Sequence, residues 1–277
     1  MAGKVRNKKF DPMSGLLLKE QDRKRYEGWL ADRKANKPYS SFVRVGSMMS
    51  FGRKHRFWCD KQQRIVELLS DTELRAYKYL IWQPNVVAIE EQYALNPAVT
   101  FEIAKSEKIV HPYNYKQHVH HVMTTDLLAT TIDEDGVCSK HAYSVKPYFN
   151  EKNNSRTGQK LRLETLYWHK YNVPYSVLTN SYISKEWFLT LSFCELHYDQ
   201  NIELDRLSDF SQQLLSIYQR DPWAPLRELL KRAASLLQTQ YAVVECLFKN
   251  AVLRGYLPLS HDVRVRLNEA LPVEGFQ

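Results

Sequence analysis

Up to about residue 179 the apolar positions alternate between a helical period and the two-residue period of strands, and that alternation predicts an α/β core. Residues 16–33 read as a helix carried by Leu18, Tyr26, Trp29 and Leu30, interrupted by Gly28. Residues 35–56 are rich in Ser, Gly, Lys and Arg and read as a linker or extended arm. Segments 57–59 and 64–68 flank the polar stretch Asp60 to Gln63 as a hairpin does. Ser70, Asp71, Thr72 and Glu73 form a capping-box pattern ahead of Leu74, Tyr77, Leu80 and Ile81, so 71–82 is a predicted helix stopped by Pro84. Residues 86–93 are a predicted strand broken at Asn96-Pro97, and between 100 and 118 the pattern is weak, a variable excursion. Segments 119–132 and 141–148 are two strands around Asp133-Glu134-Asp135-Gly136. An amphipathic helix over 160–171 and a short buried strand over 174–179 complete this part. From Ile183 the chain is mostly helical, with helix-length patterns at 209–219, 225–237 and 240–254, then an alternating basic stretch at 257–267. Three helices and a β-like tail resemble a winged helix, and equally a small helical appendage that packs on a partner.

Hairpin geometry places chemistry. With the loop near 134–136, Asp126 falls opposite Ser144, within a residue or two, and the period-2 rule puts Lys146 on the same face. Asp is disfavoured within strands, and this one lies among Val122, Met123, Leu127 and Leu128, where a carboxylate must be paired or bind a metal. A structural ion pair at a sheet edge is the alternative. Glu73 has its own plain reading, as the residue that closes the capping box. Together, two acids and a lysine suit metal-dependent phosphodiester chemistry, because Mg²⁺ prefers a few carboxylates with carbonyl and water oxygens while a lysine orients water and stabilises charge on phosphorus.

Charge sharpens this. Residues 1–56 hold 15 Lys and Arg against 5 Asp and Glu, whereas the rest of the chain is near neutral at −2. Such a block is the footprint of a nucleic-acid partner or else a solvated leader; the interleaved Tyr26, Trp29, Tyr39, Phe42, Phe51, Phe57 and Trp58 favour a segment that docks. The first ten residues are basic and polar, unlike a secretory signal, and no apolar run reaches 18 residues, so a cytoplasmic location is expected. Cys59, Cys138, Cys194 and Cys246 are widely spaced and read as reduced core residues. His118, His120 and His121 lack the Cys partners and shared face of a zinc site.

The order helix Glu, strand Asp, then Lys on the next strand resembles the restriction-endonuclease-like nuclease superfamily, and the surrounding words are similar to the TnsA-type transposon endonucleases. They are Gly52-Arg53-Lys54-His55-Arg56, the run Leu68 to Leu74, the run Ile89 to Tyr93, the run Val122 to Leu128, Val145-Lys146-Pro147 and the run Glu164 to Trp168. The resemblance covers about residues 52–179. It implies a restriction-endonuclease-like core, a mixed sheet flanked by helices, with Glu73, Asp126 and Lys146 on catalytic positions, the Val145 carbonyl as a further metal ligand beside Glu73 and Asp126, and Glu164 as a supporting acid. The implied cofactor is Mg²⁺, with Mn²⁺ as a substitute. The implied reaction is cleavage of the 5′ strands of double-stranded DNA at transposon ends, beside a TnsB-like transposase and a TnsC-like AAA+ ATPase. Ser144 departs from the Gln usual at its position; a neutral hydroxyl is a weaker ligand, which bears on a second metal more than on the first.

The expected organisation is a basic arm (1–56), a catalytic domain (57–182) and a helical, winged-helix-like domain (183–277) for partner or DNA contacts. Arg53, Lys54, His55 and Arg56 of the arm, and Lys249, Arg254, Arg264 and Arg266 of the last domain, are the candidate phosphate contacts, though a solvated face explains the latter four equally. A stand-alone restriction or repair nuclease, and a catalytically dead scaffold bridging transposase and regulator, are the rival readings.

Overall fold

The computed structural model describes residues 11–46, 52–149 and 155–275. The basic leader 1–10 and Phe51 lie outside the described residues. Strands β3 (Val86–Ala94), β6 (Thr124–Ile132), β7 (Cys138–Val145) and β8 (Tyr175–Leu178) form one mixed sheet in that order. The first three are antiparallel, and β8 joins β7 in parallel through the crossover helix α4 (Arg156–Lys170). Beside the sheet, β1 (His55–Cys59) and β2 (Arg64–Leu68) form the expected hairpin.

Helices cover both faces. Helix α2 (Asp71–Ile81) starts where Ser70 Oγ accepts the Glu73 N–H, and it packs Ala76, Tyr77, Leu80 and Ile81 with Leu127, Ala129 and Val145 of the sheet. On the other face α4 contributes Leu163, Tyr167 and Trp168 against Leu128 and Ala142. Neighbouring residues Leu127 and Leu128 thus serve opposite layers, which is why β6 is apolar on both sides.

The weak 100–118 region contains a helix, α3 (Pro97–Ser106). Asn96 and Pro97 do end β3, but as helix-start signals: Asn96 Oδ1 accepts the N–H groups of Ala98 and Val99, and Pro97 sits in the first turn. The predicted strand 119–132 is split. Its first two residues form β5 (Val119–His120), paired with β4 (Tyr113–Asn114) as a separate ribbon, and β6 starts only at Thr124.

The expected arm is docked on its own chain. Helix α1 (Glu20–Lys34) has no buried residue, yet Tyr26 and Trp29 pack with Phe42, Val43 and Ala94, Trp29 meets Tyr93 edge-on at 5.2 Å, and Arg33 pairs with Glu90. His120 ties down the segment before α1: its Nδ1 accepts the Leu17 N–H, and its Nε2 faces the Pro12 carbonyl at 2.9 Å.

Beyond β8 the chain is helical: α5 (Lys185–Glu195), α6 (Leu204–Arg220), α7 (Leu226–Leu236) and α8 (Tyr241–Leu253). Their buried residues join the α2 side of the sheet in one continuous cluster. Glu195 of α5 anchors them, accepting from Lys78 and from Trp82 Nε1. The alternating stretch 257–267 forms no strand of a wing, because its backbone finds other partners: the Val265 N–H donates to Thr190 Oγ1, and the Leu267 carbonyl accepts from Arg227 N–H. No disulfide links the cysteines; Cys59 and Cys194 are buried, while Cys138 is exposed at the start of β7. Among the described residues no helix is long and apolar enough to cross a membrane.

Candidate active site

The β6–β7 register runs Leu127 opposite Tyr143, so Asp126 stands where the ladder ends, opposite Ser144. There its side chain takes over from the ladder. Asp126 Oδ2 accepts the Val145 N–H at 2.7 Å and Lys146 Nζ at 2.8 Å, and the same ammonium donates to the Val145 carbonyl at 2.9 Å. Asp126, Lys146 and the Val145 carbonyl are therefore one cluster at the end of the sheet.

Glu73 reaches it from the first turn of α2. Its Oε2 accepts the Leu69 N–H at 2.9 Å, a variant of the capping-box return bond one residue earlier than expected. The same oxygen lies 3.4 Å from Gln92 Nε2, which is also 3.3 Å from Asp126 Oδ1. One amide of β3 thus spans the two carboxylates. The capping role and a place in the cluster prove compatible, because a carboxylate has acceptor positions for both.

Glu164 of α4 lies behind the cluster. Its Oε2 accepts from Ser144 Oγ at 2.6 Å and Thr125 Oγ1 at 3.2 Å, while Trp168 Nε1 donates to Thr125. The Ser144 hydroxyl is directed to Glu164. Burial, then the Asp126 charge, push Glu73 up to about 7, against the Leu69 N–H, Lys146 and Ser70. Glu164 is pushed up to about 7 by burial and Asp126, against Lys146 and the two hydroxyls. Burial works against the charge on Lys146, yet Asp126, Glu164 and Glu73 together raise it above the ordinary lysine value. Lys160, one turn before Glu164, is held below that value by burial, Arg156 and Lys146.

Three carboxyl groups crowd one half-buried ammonium, and burial beside Asp126 holds Glu73 and Glu164 toward their protonated forms near neutral pH, which a cation at the site would reverse. Among the described residues no group of three or more His, Cys, Asp or Glu is arranged to hold a metal ion. Mg²⁺ needs no such cage, since it is held by one or two carboxylates and keeps several waters. Glu73, Asp126 and the Val145 carbonyl are hard oxygen donors of the kind it takes, and a cation beside Asp126 would relieve the repulsion that raises Glu73, so these residues fit it.

The candidate DNA contacts are dispersed. Arg53 and His55 both bind Asp71, Lys54 Nζ donates to the Val45 carbonyl, and Arg56 pairs with Glu67. Arg53 and Arg56 are exposed, Arg53 beside Asp71 at the start of α2 and Arg56 beside Glu67 on the β1–β2 hairpin. Lys249, by contrast, is 2% exposed, paired with Glu245 at 2.6 Å and set over the Phe193 ring, which removes it from any DNA-facing surface. Arg254 donates to the Ile202 and Asp199 carbonyls, pinning the loop before α6, and Arg264 has a buried Nε with no partner. Arg266 pairs with Glu269 at 2.6 Å on the surface. Gln92 and Thr124 are the site residues that sequence reasoning passed over; nothing in a Gln on a strand announces that it will bridge two acids.

Comparison with known proteins places this geometry in context. Residues 83–180 match the family model described as TnsA-like endonuclease N terminal, a span that includes Asp126, Ser144, Val145, Lys146 and Glu164 and begins after Glu73. The chain is similar to the Transposon Tn7 transposition protein TnsA of Escherichia coli, 32% identical over 183 residues. That alignment covers 64% of this chain and 65% of the relative, just under two thirds of its length.

Proposed function

We propose that the chain is a member of the TnsA-like endonuclease family, a reading supported by the match over residues 83–180 and by the 32% identity over 183 residues, and that it is a Mg²⁺-dependent DNA endonuclease of the cytoplasm that cuts the 5′ strands at transposon ends. The observation that carries this reading is the convergence of Asp126, Lys146, Glu73 and the Val145 carbonyl at the end of β6–β7. Residues 57–182 are the catalytic unit, of restriction-endonuclease-like type, and 183–277 the unit for partner or DNA contact.

Glu73, Asp126 and the Val145 carbonyl would hold the cation, which would supply Lewis-acid stabilisation of charge on the phosphoryl oxygens. Lys146 keeps its proton, because the surrounding carboxylates raise its affinity for it. It therefore serves as a fixed ammonium that orients the attacking water and stabilises the pentacovalent phosphorus, with Asp126 fixing its position. Glu164 supports the cluster from behind: through Ser144 and Thr125 it fixes the ends of β6 and β7. A Ser144 hydroxyl engaged with Glu164 favours a single cation. Arg53, Arg56 and Lys160 contact the DNA backbone, which sets register without reading sequence. Site choice then falls to partners, a TnsB-like transposase and a TnsC-like AAA+ ATPase.

The test is strand cleavage of transposon-end DNA in Mg²⁺, with and without the co-encoded transposase, read on a denaturing gel. The proposal expects 5′-strand nicks only with the partner. Cleavage of naked DNA without a partner identifies a stand-alone nuclease, and no cleavage with a functional transposase identifies a scaffold.

A further inference from the structure

Gln92 is 3% exposed and sits in β3 with φ +48, in the left-handed region that non-glycine residues seldom enter. The kink has a visible consequence. Ile89 packs in the cluster on the α2 side of the sheet, whereas Tyr93, four residues on and expected on the same face, packs with Leu95 in the cluster under α4. The faces of β3 exchange at Gln92. Glu90, two residues earlier, points to Arg33 and Lys140, but Gln92 turns toward Glu73 of α2. Strain of this kind persists where the surroundings enforce it, and here they enforce one side-chain placement.

That placement has a defined polarity. Thr124 Oγ1 donates to Gln92 Oε1 at 3.0 Å, which leaves the amide nitrogen toward the acids. Its two protons then have two acceptors, Glu73 Oε2 at 3.4 Å and Asp126 Oδ1 at 3.3 Å. Each contact is long, and neither alone is strong. Jointly they tie a helix carboxylate to a strand carboxylate across two elements that share no backbone hydrogen bond.

Resting on the reading of this cluster as the hydrolytic centre, we propose that Gln92 is a positioning residue: its amide, oriented by Thr124, holds the Glu73 and Asp126 carboxylates at one point so that both face the same cation. It touches neither DNA nor the reacting atoms. Its contribution is preorganisation of the ligand pair, of the kind that outer hydrogen bonds supply to metal sites.

The experiment is direct binding of Mn²⁺ to the full chain without DNA, read by loss of the free-ion EPR signal, for the wild type, Asp126→Ala, Gln92→Leu, Gln92→Asn and Thr124→Val. Asn suits a left-handed backbone better than Gln but lacks one methylene of reach, so Gln92→Asn keeps the fold and loses the bridge. Thr124→Val keeps Gln92 itself and removes only its orienting bond, and melting curves report the fold of each variant. Expected is loss of binding in Asp126→Ala, a roughly 10–100-fold weakening in Gln92→Leu and Gln92→Asn, and a smaller weakening in Thr124→Val. Wild-type affinity in both Gln92 variants, with binding still lost in Asp126→Ala, overturns the role of Gln92 and leaves the hydrolytic centre standing. Unchanged binding in Asp126→Ala overturns both.

Discussion

Lys146 and Lys249 each sit against a carboxylate, Asp126 at 2.8 Å and Glu245 at 2.6 Å, in the sheet region and in the helical region respectively. The Lys249 pair is closed: partners four residues apart on one helix, a histidine nitrogen at 3.1 Å and a phenylalanine ring complete its surroundings, and one positive charge meets one negative. At Lys146 the neighbours are Asp126, Glu164 and Glu73, drawn from a strand and two helices, three acidic groups to one ammonium. A buried ion pair alone therefore identifies nothing. What separates the two regions is the surplus of acidic groups, two of them held near neutral pH in readiness for a cation, which structure alone does not require.

The largest expected effect follows from that difference. Asp126→Ala removes the shared partner of Lys146, the Val145 N–H and Gln92, and should lower the rate of DNA cleavage on the order of 10³-fold, measured under single-turnover conditions. Lys146→Ala should cost about 10²–10³-fold with DNA binding retained. The same exchange at Lys249 should leave the rate per folded molecule unchanged and act on stability. Lys249→Ala strands Glu245 and should cost about 3 kcal/mol in urea unfolding, while the double exchange Lys249→Met with Glu245→Leu, which fills the space and leaves no charge, should be close to neutral.

A smaller effect separates the regions by pH. The folded protein keeps a proton on Glu164 up to about pH 7, whereas the unfolded chain releases it near the ordinary value of 4.5. Between those values the native state binds more protons, so this group's contribution is complete below pH 4.5 and is lost as pH rises through 7. In EDTA, wild-type stability relative to Glu164→Gln should therefore fall from pH 5 to 7.5, read from paired melting curves. The smallest effect belongs to the surface: Arg53→Ala or Arg56→Ala should weaken DNA binding and lower the slope of log affinity against log salt by about one each.

How far the site was legible follows the range of the interactions. The β6–β7 register was readable because a turn signal fixed it, and with it came Asp126, Ser144 and Lys146. The capping box at Ser70 was equally local, and its Glu73 was found, although only the resemblance lifted it above a cap. Helix α3 was missed because its start signal, Asn96-Pro97, is also a strand breaker and its buried positions, Pro97, Thr100, Phe101 and Ala104, include only one large apolar side chain. Segment 257–267 alternates as a strand does, but tertiary partners on α5 and α7 took its backbone bonds. Lys249 looked like a surface cation because its burial depends on how α8 packs beside α5, which no pattern within α8 records. Gln92 was illegible for the same reason: its bridge joins residues 19 and 34 positions away.

The central claim, that the acid-rich cluster around Lys146 is a hydrolytic centre and the balanced pair at Lys249 is not, reduces to one measurement. It is single-turnover 5′-strand cleavage of transposon-end DNA, with Mg²⁺ and the partner transposase, by wild type, Lys146→Ala and Lys249→Met at matched folded concentration. The account predicts loss of cleavage in Lys146→Ala alone, with DNA still bound and Lys249→Met cutting at the wild-type rate. Undiminished 5′-strand cleavage by Lys146→Ala would contradict it.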